Sequence, residues 1–325
     1  MMNVLVVGMT VVDFVFEVDS MPTAAEKYVA SQASVVGGGG AANAAVAIAN
    51  LGGRAMLSGR IGEDMVGDLI VNDLQSRNVD CSLLQRTTGA RSSYSSVFVD
   101  SDGERLIVNY RGEKLSDNVE PMSQLATDKL SQPAAVLADT RWSNGVVAAM
   151  KLARQLGVPG ILDAEPPLEP ELLQMASHIA FSRQGLVSLT GNEDLPSSLL
   201  QVADTYNNWL CVTDGANGVY YLQDGDVHNA EAPVVEVVDT LGAGDVWHGA
   251  FAYALGSGLG SGLSAGYGSG FSSDSQDSRI QSADRPELAA IVFANAAASL
   301  TCSRAGGGRV SPSRAEVDAF LGSRV

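Results

Sequence analysis

Positive charge is what this chain has least of. Twenty Lys and Arg stand against 37 Asp and Glu, a formal net charge of −17. That balance argues against a nucleic-acid face or an anionic membrane surface, since both select basic faces. An anionic substrate would have to meet a local cluster of donors. Cysteine is nearly absent: Cys81, Cys211 and Cys302 are far apart, odd in number and without CxxC spacing, so they read as reduced core residues and not as a disulfide framework or metal site. No run of 18 apolar residues occurs, which argues against a membrane-spanning helix. The opening MMNVLVVGMTVVDF lacks a basic segment followed by a small-residue cleavage site, so it reads as a mature start and a first strand, with a cytoplasmic home expected. A strict GxGxxG after that strand is also missing, with GMTVVD in its place, which disfavours a dinucleotide-binding fold.

What is plentiful is glycine, 35 residues, within a chain that is 46% hydrophobic and long enough to bury a large core. NVLVVG (residues 3–8) is a continuous apolar run that suits a strand buried on both faces. GGGGAANAAVAIANLG (37–52) reads as a glycine turn and an Ala-rich helix. AMLSGRIG, AAVLAD, PGILDAE and HIAFS read as further strands. EDMVGDLIVNDLQSRNV, NGVVAAMKLARQLG and PELLQMAS read as helices between them, and WLCVTDGANGVYYLQDGDVHNA as a strand and a hairpin. This alternation predicts a doubly wound parallel α/β sheet sandwiched by helices, in one domain over 1–325. SSYSSVFVDSDGERLIVNY breaks the alternation as a hairpin. Together with strands near 13–36 it predicts a small β-sheet lid in two pieces, about 13–36 and 91–112. Lids exclude water from reactive groups. Residues 256–284 are Gly/Ser-rich without apolar periodicity and read as a flexible insertion.

The chemistry concentrates in VVDTLGAGDVWHGAFAYAL (237–255). Gly242 and Gly244 permit a tight turn, and the amides of Ala243, Gly244 and Asp245 would head a helix and stabilise developing negative charge. Asp245, held ionised by the helix dipole, is either a cap or a base that accepts a hydroxyl proton.

DTLGAGD resembles the second signature of the PfkB (ribokinase-like) carbohydrate kinases, and GGGAANAAVAIANLG resembles the first. The likeness extends over nearly the whole chain, through GMTVVD, the lid hairpin, VTDGANG and AAASLTCSRAGGG. It implies the ribokinase-like fold, with Asp245 as catalytic base and Gly242, Ala243 and Gly244 as anion hole. Asp13, Gly38, Gly39 and Asn43 match positions that hold sugar hydroxyls, and Thr213, Gly215 and Gly218 match the nucleotide segment. Asp239 and the Leu241 carbonyl, with the loop near Ser303 and Gly308, match a monovalent-cation site, typically potassium. ATP with Mg2+ would be the donor. One departure stands out: where the family commonly has Asn-x-x-Glu, FSRQGLVSLTG puts Ser182 and Gly185.

Within the family the chain is most similar to the sulfofructose kinases, through GMTVVD, PTAAEKYVA, GERLIVNY, VLADTRW and AFSRQGLVSLTG. That resemblance implies transfer of the γ-phosphoryl group to a primary hydroxyl of a ketose, 6-deoxy-6-sulfofructose to its 1-phosphate. Lys27 at the start of a lid strand, Asn109 at the end of the lid hairpin and Arg141 past a core strand would hold the sulfonate. Each also reads as an ordinary surface or turn residue, and the trio would equally hold a sugar phosphate or a carboxylated sugar. Fructose, tagatose-phosphate, ketodeoxygluconate and nucleoside kinases remain alternatives, as does a silent sugar sensor on the same fold. His248 reads as a helper donor or a packed helix residue; Trp142, Trp209 and Trp247 read as core or cleft wall. The lid is expected to pair two chains, because exposed sheets with apolar faces seek partners.

Overall fold

Every residue of LVV in the first strand is apolar, and a strand so composed can sit only where both faces are covered. In the computed structural model, which describes residues 2–259 and 286–323, that strand is the centre from which the rest is laid out. The elements run β1 (Asn3–Val7), β2 (Val11–Glu17), β3 (Gln32–Gly38), α1 (Gly40–Asn50), β4 (Arg54–Gly62), α2 (Met65–Ser76), β5 (Asp80–Thr87), β6 (Tyr94–Val99), β7 (Arg105–Tyr110), α3 (Glu120–Ser123), β8 (Ala135–Asp139) and α4 (Ser143–Leu156). They continue β9 (Gly160–Ala164), α5 (Pro170–Leu173), β10 (His178–Ser182), α6 (Arg183–Thr190), α7 (Leu195–Ala203), β11 (Trp209–Thr213), β12 (Val219–Gln223), β13 (Asp226–Ala230), α8 (Ala243–Ser257), α9 (Pro286–Cys302) and α10 (Arg314–Gly322).

Nine strands form the main sheet in the order β13-β12-β11-β10-β9-β8-β1-β4-β5. From β5 to β11 the neighbours are parallel, and β12 and β13 add an antiparallel hairpin. Strand alternation divides the core into two layers: Val4 and Val6 join α1, α8 and α9, while Leu5 and Val7 join α4 and α7. The chain leaves β1 toward β4 and β5, then returns to β8 on the other side of β1. Connections diverge there, which opens a crevice at the carboxyl ends of β1, β8 and β9.

A second sheet, ordered β3-β2-β6-β7, stands apart. It comes from two separate segments, with β2 and β6 parallel and both outer pairs antiparallel. On one face Phe16 stacks on Phe98 and Phe14 meets Tyr94 edge-on; register puts Leu106, Val108 and Tyr110 on that same face. The opposite face carries Asp13, Ser95 and Asn109.

Three local expectations change. PELLQMAS yields a single turn, α5. Strand β5 was not expected; it lies at the sheet edge with mostly half-buried positions and no clean alternation. Gly256 and Ser257 complete α8 instead of opening the Gly/Ser-rich insertion, and from residue 260 that insertion lies outside the described residues. All three cysteines are free thiols. Among the described residues no helix is long and apolar enough to cross a membrane.

Candidate active site

Gly242 takes φ 71°, a left-handed conformation that suits glycine, at the N-cap of α8. A Cβ there would also lie 2.9 Å from the Gly308 nitrogen, so the turn and the 306–310 loop are pressed together. The Ala243 amide, expected to face an anion, instead donates to the Thr240 carbonyl at 3.2 Å. Gly244 and Asp245 remain as first-turn amides of a fifteen-residue helix, and Gly244 has open space before it. That is the anion-stabilising end of a helix, narrowed to two amides.

Asp245 is half-buried and accepts a 2.7 Å hydrogen bond from Asn43 Nδ2 of α1. Burial raises its pKa, opposed by the Asn43 bond and by His248, while Glu165 and Asp139 push it further up. The dipole expected to keep it ionised therefore works against desolvation and like charge. Gly39 caps α1 against the Met9 carbonyl, and Gly38 ends β3 beside Asp13. The point a Cβ of Gly40 would occupy is 3.4 Å from Asp245 Oδ1, 3.7 Å from Asp139 Oδ2 and 3.8 Å from Asp163 Oδ2. Three carboxylates thus surround one hollow. Asp139, at the end of β8, accepts from the amides of Met9 (2.7 Å), Ala41 (3.2 Å) and Arg141 (2.9 Å). Asp163, at the end of β9, is buried, and among the described residues no donor reaches its Oδ1. Sequence reading picked neither; each is the last polar residue of a buried strand, and that position was the available signal.

The lid closes one side. Asp13 pairs across the sheet with Ser95, whose hydroxyl donates to Asn109 Oδ1 at 2.7 Å, so Asp13 and Asn109 share one wall. Burial raises the Asp13 pKa, opposed by Ser95, Arg309 and Arg111. Beside this wall opens a cavity of about 290 Å³ lined by Met9, Thr10, Arg60, Arg111, Arg141 and Trp142 among others. Arg60 stacks over Trp142 and is neutralised by Asp117 at 2.9 Å. Among the described residues, Arg111 and Arg141 have no carboxylate at ion-pair distance. In a chain this acidic, two such cations facing a cavity give it locally positive walls. Lys27 does not join them: it is exposed in the loop between β2 and β3, not at a strand start. Arg60 and Arg111 were missed, because single arginines carry no motif.

Thr213 ends β11, and Gly215 and Gly218 shape the turn into β12, with Gly218 accepting from the Asp214 amide at 2.8 Å. Ser182 caps α6 by accepting from the Gly185 amide at 3.0 Å. A Cβ on Gly185 would sit 2.1 Å from the Ala164 carbonyl oxygen, so no glutamate fits at that position. The missing Asn-x-x-Glu is built into the backbone. At the loop matched to a cation site, Val238 and Asp239 donate to the Cys302 carbonyl, Asp239 accepts from Leu241, and the Leu241 carbonyl faces Gly307. Asp239 and the Leu241 carbonyl therefore meet Gly306 and Gly307, Gly308 lies instead against Gly242, and the Ser303 hydroxyl turns away to the Leu300 carbonyl. Arg309, also missed, is buried, ion-paired to Asp73 at 2.9 Å and bonded to the Gly37 carbonyl at 2.9 Å; it joins this loop to the root of the lid.

A model of the "pfkB family carbohydrate kinase" matches residues 1–314. The ribokinase of Bacillus subtilis is 29% identical over 99% of this chain and 100% of its own. A fructokinase of Vibrio alginolyticus is 29% identical over 67% of this chain and 76% of its own. The structure of Arabidopsis thaliana ribokinase complexed with ribose and ATP shares the fold, with a TM-score of 0.80 at 24% identity over 98% of each chain.

Proposed function

The chain belongs to the pfkB family of carbohydrate kinases, a phosphotransferase acting on sugars, and from that premise we propose an ATP-dependent transfer of the γ-phosphoryl group to a primary hydroxyl of a ketose with an anionic tail. The preferred acceptor is 6-deoxy-6-sulfofructose, giving its 1-phosphate. The observation that carries the reaction is the pairing of Asp245 with the free amides of its own helix turn. The hydroxyl enters the hollow at Gly40, Asp245 takes its proton, and the Gly244 and Asp245 amides face the phosphoryl group. Asn43 holds Asp245 in place. Asp13 and Asn109 on the lid wall orient the other sugar hydroxyls.

The anionic tail is supported by Arg111 and Arg141, which face the same cavity and have no carboxylate at ion-pair distance among the described residues. A sulfonate keeps its charge at all working pH values, so fixed guanidinium groups suit it. Mg2+ would travel with ATP and screen phosphate charge. A monovalent cation at Asp239 and the Leu241 carbonyl would hold the loop behind Gly242 in shape, and would share Asp239 with the Arg105 guanidinium, 3.7 Å from its Oδ1. The enzyme is read as a cytoplasmic homodimer joined through the lid. A coupled ADP-release assay over sulfofructose, fructose, fructose 6-phosphate, ribose and adenosine tests this. Sulfofructose turning over no better than fructose removes the sulfonate assignment, and an active Asp245→Asn variant removes the base.

A further inference from the structure

His248 lies one turn past Asp245, with its ring buried beneath the site. Nδ1 is 2.8 Å from the Gly244 carbonyl. Nε2 is 3.3 Å from the Ala180 carbonyl and 3.5 Å from Asp163 Oδ1. Carbonyl oxygens only accept, so each ring nitrogen faces an acceptor, and a neutral imidazole with one N–H can satisfy one of them. Among the described residues Asp163 Oδ1 has no hydrogen-bond donor, while its Oδ2 belongs to the three-carboxylate hollow at Gly40. An ionised Asp163 there would be buried without a partner beside two further carboxylates. One proton between Nε2 and Asp163 resolves both defects at once.

We propose that His248 and Asp163 are a positioning pair holding two protons, one on Nδ1 donated to the Gly244 carbonyl and one shared between Nε2 and Asp163 Oδ1, so that the pair is uncharged beside Asp245. The proposal rests on Asp245 being the base. Its first consequence is mechanical: the Nδ1–H anchors the carbonyl of the turn whose amides face the phosphoryl group. Its second is electrostatic, because a neutral pair keeps an extra negative charge away from an incoming polyanion. Loss of the shared proton at alkaline pH places that charge there.

The groups facing the pair are Asp245 from α8, Asp139 and Arg141 at the end of β8, and Glu165 beyond β9. Asp139 is satisfied by three amides and Asp245 by Asn43, which leaves Asp163 as the carboxylate that needs a proton. Burial and these carboxylates push its pKa well above the usual range, and burial lowers that of His248. Both shifts favour a proton held jointly.

The chain has three histidines, His178, His228 and His248, so ¹⁵N-histidine labelling of the full protein yields three separable rings. Nδ1 of His248 is expected to stay protonated from about pH 6 to 9 in wild type and Asp163→Asn alike, while a second ring proton, the one shared at Nε2, is seen in the wild type and is lost in Asp163→Asn, with the other two rings keeping their signals. A bare Nδ1, or a ring titrating freely near 6.5, overturns the pair. In the kinase assay, Asp163→Asn should keep the acid limb of kcat and lose the alkaline decline of the wild type; matching alkaline limbs overturn the electrostatic part. His248→Phe should lower kcat by about 10-fold at unchanged sugar KM, with partial recovery in His248→Asn, which can still donate to the Gly244 carbonyl. A KM change alone would overturn the positioning role. The ring spectra do not depend on turnover, so failure of the pair is distinguishable from failure of Asp245 as base.

Discussion

Replacing Gly40 with alanine should separate stability from activity. Gly40 is the first residue of α1, half-buried, and its backbone does not lie in the left-handed region. The added methyl would meet Asp245 Oδ1 at 3.4 Å, Asp139 Oδ2 at 3.7 Å and Asp163 Oδ2 at 3.8 Å, all ordinary contact distances, so nothing has to move. Alanine is favoured over glycine in a helix by up to about 1 kcal/mol. Thermal melting should therefore be unchanged or slightly raised. The acceptor hydroxyl, however, must come to about 2.7 Å from the Asp245 carboxylate, and the methyl takes the space through which it comes. A displacement of about 1 Å costs on the order of 100-fold in rate, so kcat/KM should fall roughly 30- to 100-fold, or about 2–3 kcal/mol of transition-state stabilisation. ADP release and differential scanning fluorimetry on the same preparation read both quantities. A variant with normal melting and wild-type kcat/KM would show that the hydroxyl is not delivered at Gly40. A melting point lowered by more than about 5 °C would show that the hollow is tighter than these distances imply.

Acid should silence the enzyme at a higher pH than an ordinary carboxylate base would give. Asp245 must be ionised to accept a proton, and its pKa is raised, so kcat should fall as pH drops through a value above the usual carboxylate range; an acid limb at or below about 4 contradicts this. Asp64 shows the opposite sign. It caps α2 through the Gly67 amide (2.8 Å) and holds Ser92 through both its amide (2.9 Å) and hydroxyl (2.7 Å), and its pKa is lowered. Its contribution is present above its unfolded pKa of about 3.9 and is lost as pH falls through its lower folded value. Asp64→Ala should cost about 2–3 kcal/mol in urea melts at pH 7, with a deficit that shrinks in strong acid. Light scattering should find two chains per particle in the wild type and one in Val108→Glu, since Leu106, Val108 and Tyr110 lie exposed on the aromatic face of the lid; an unaltered mass in that variant rules out this face as the interface.

The parts of the molecule legible in the sequence were those where one local pattern decides the structure. The apolar run of β1, the Ala-rich α1 and the glycine turn before α8 each satisfy their own backbone and burial needs. The small second sheet was readable because two β-rich runs interrupt an α/β alternation. Edge strand β5 was not, since half-buried positions carry no period. Lys27 was misplaced for a related reason: PTAAEKYVA carries no strand pattern of its own, joins no sheet, and β3 begins only at Gln32.

The arginine-lined cavity was the least legible feature, and the reason is geometric. Arg60 leaves the end of β4, Arg111 follows β7 and Arg141 follows β8, so three distant segments supply one wall that only the switch between β1 and β8 brings together. The same holds for the carboxylates. Asp139, Asp163 and Asp245 are separated along the chain by whole helices, yet they meet within 4 Å of one point at Gly40. Such a concentration of like charge is unstable unless each member is answered locally. Asp139 is answered by three amides and Asp245 by Asn43, while Asp163 is left to His248. Gly8, whose Cβ would collide with the Asp139 carboxylate at 2.2 Å, also lines the cavity that the arginines face. An acceptor spanning the crevice would therefore place its reactive hydroxyl among carboxylates and its charged tail among guanidinium groups. If the acceptor is an anionic sugar held in that direction, exchanging Arg141 for methionine should raise KM for an anionic ketose while leaving fructose turnover within about 2-fold.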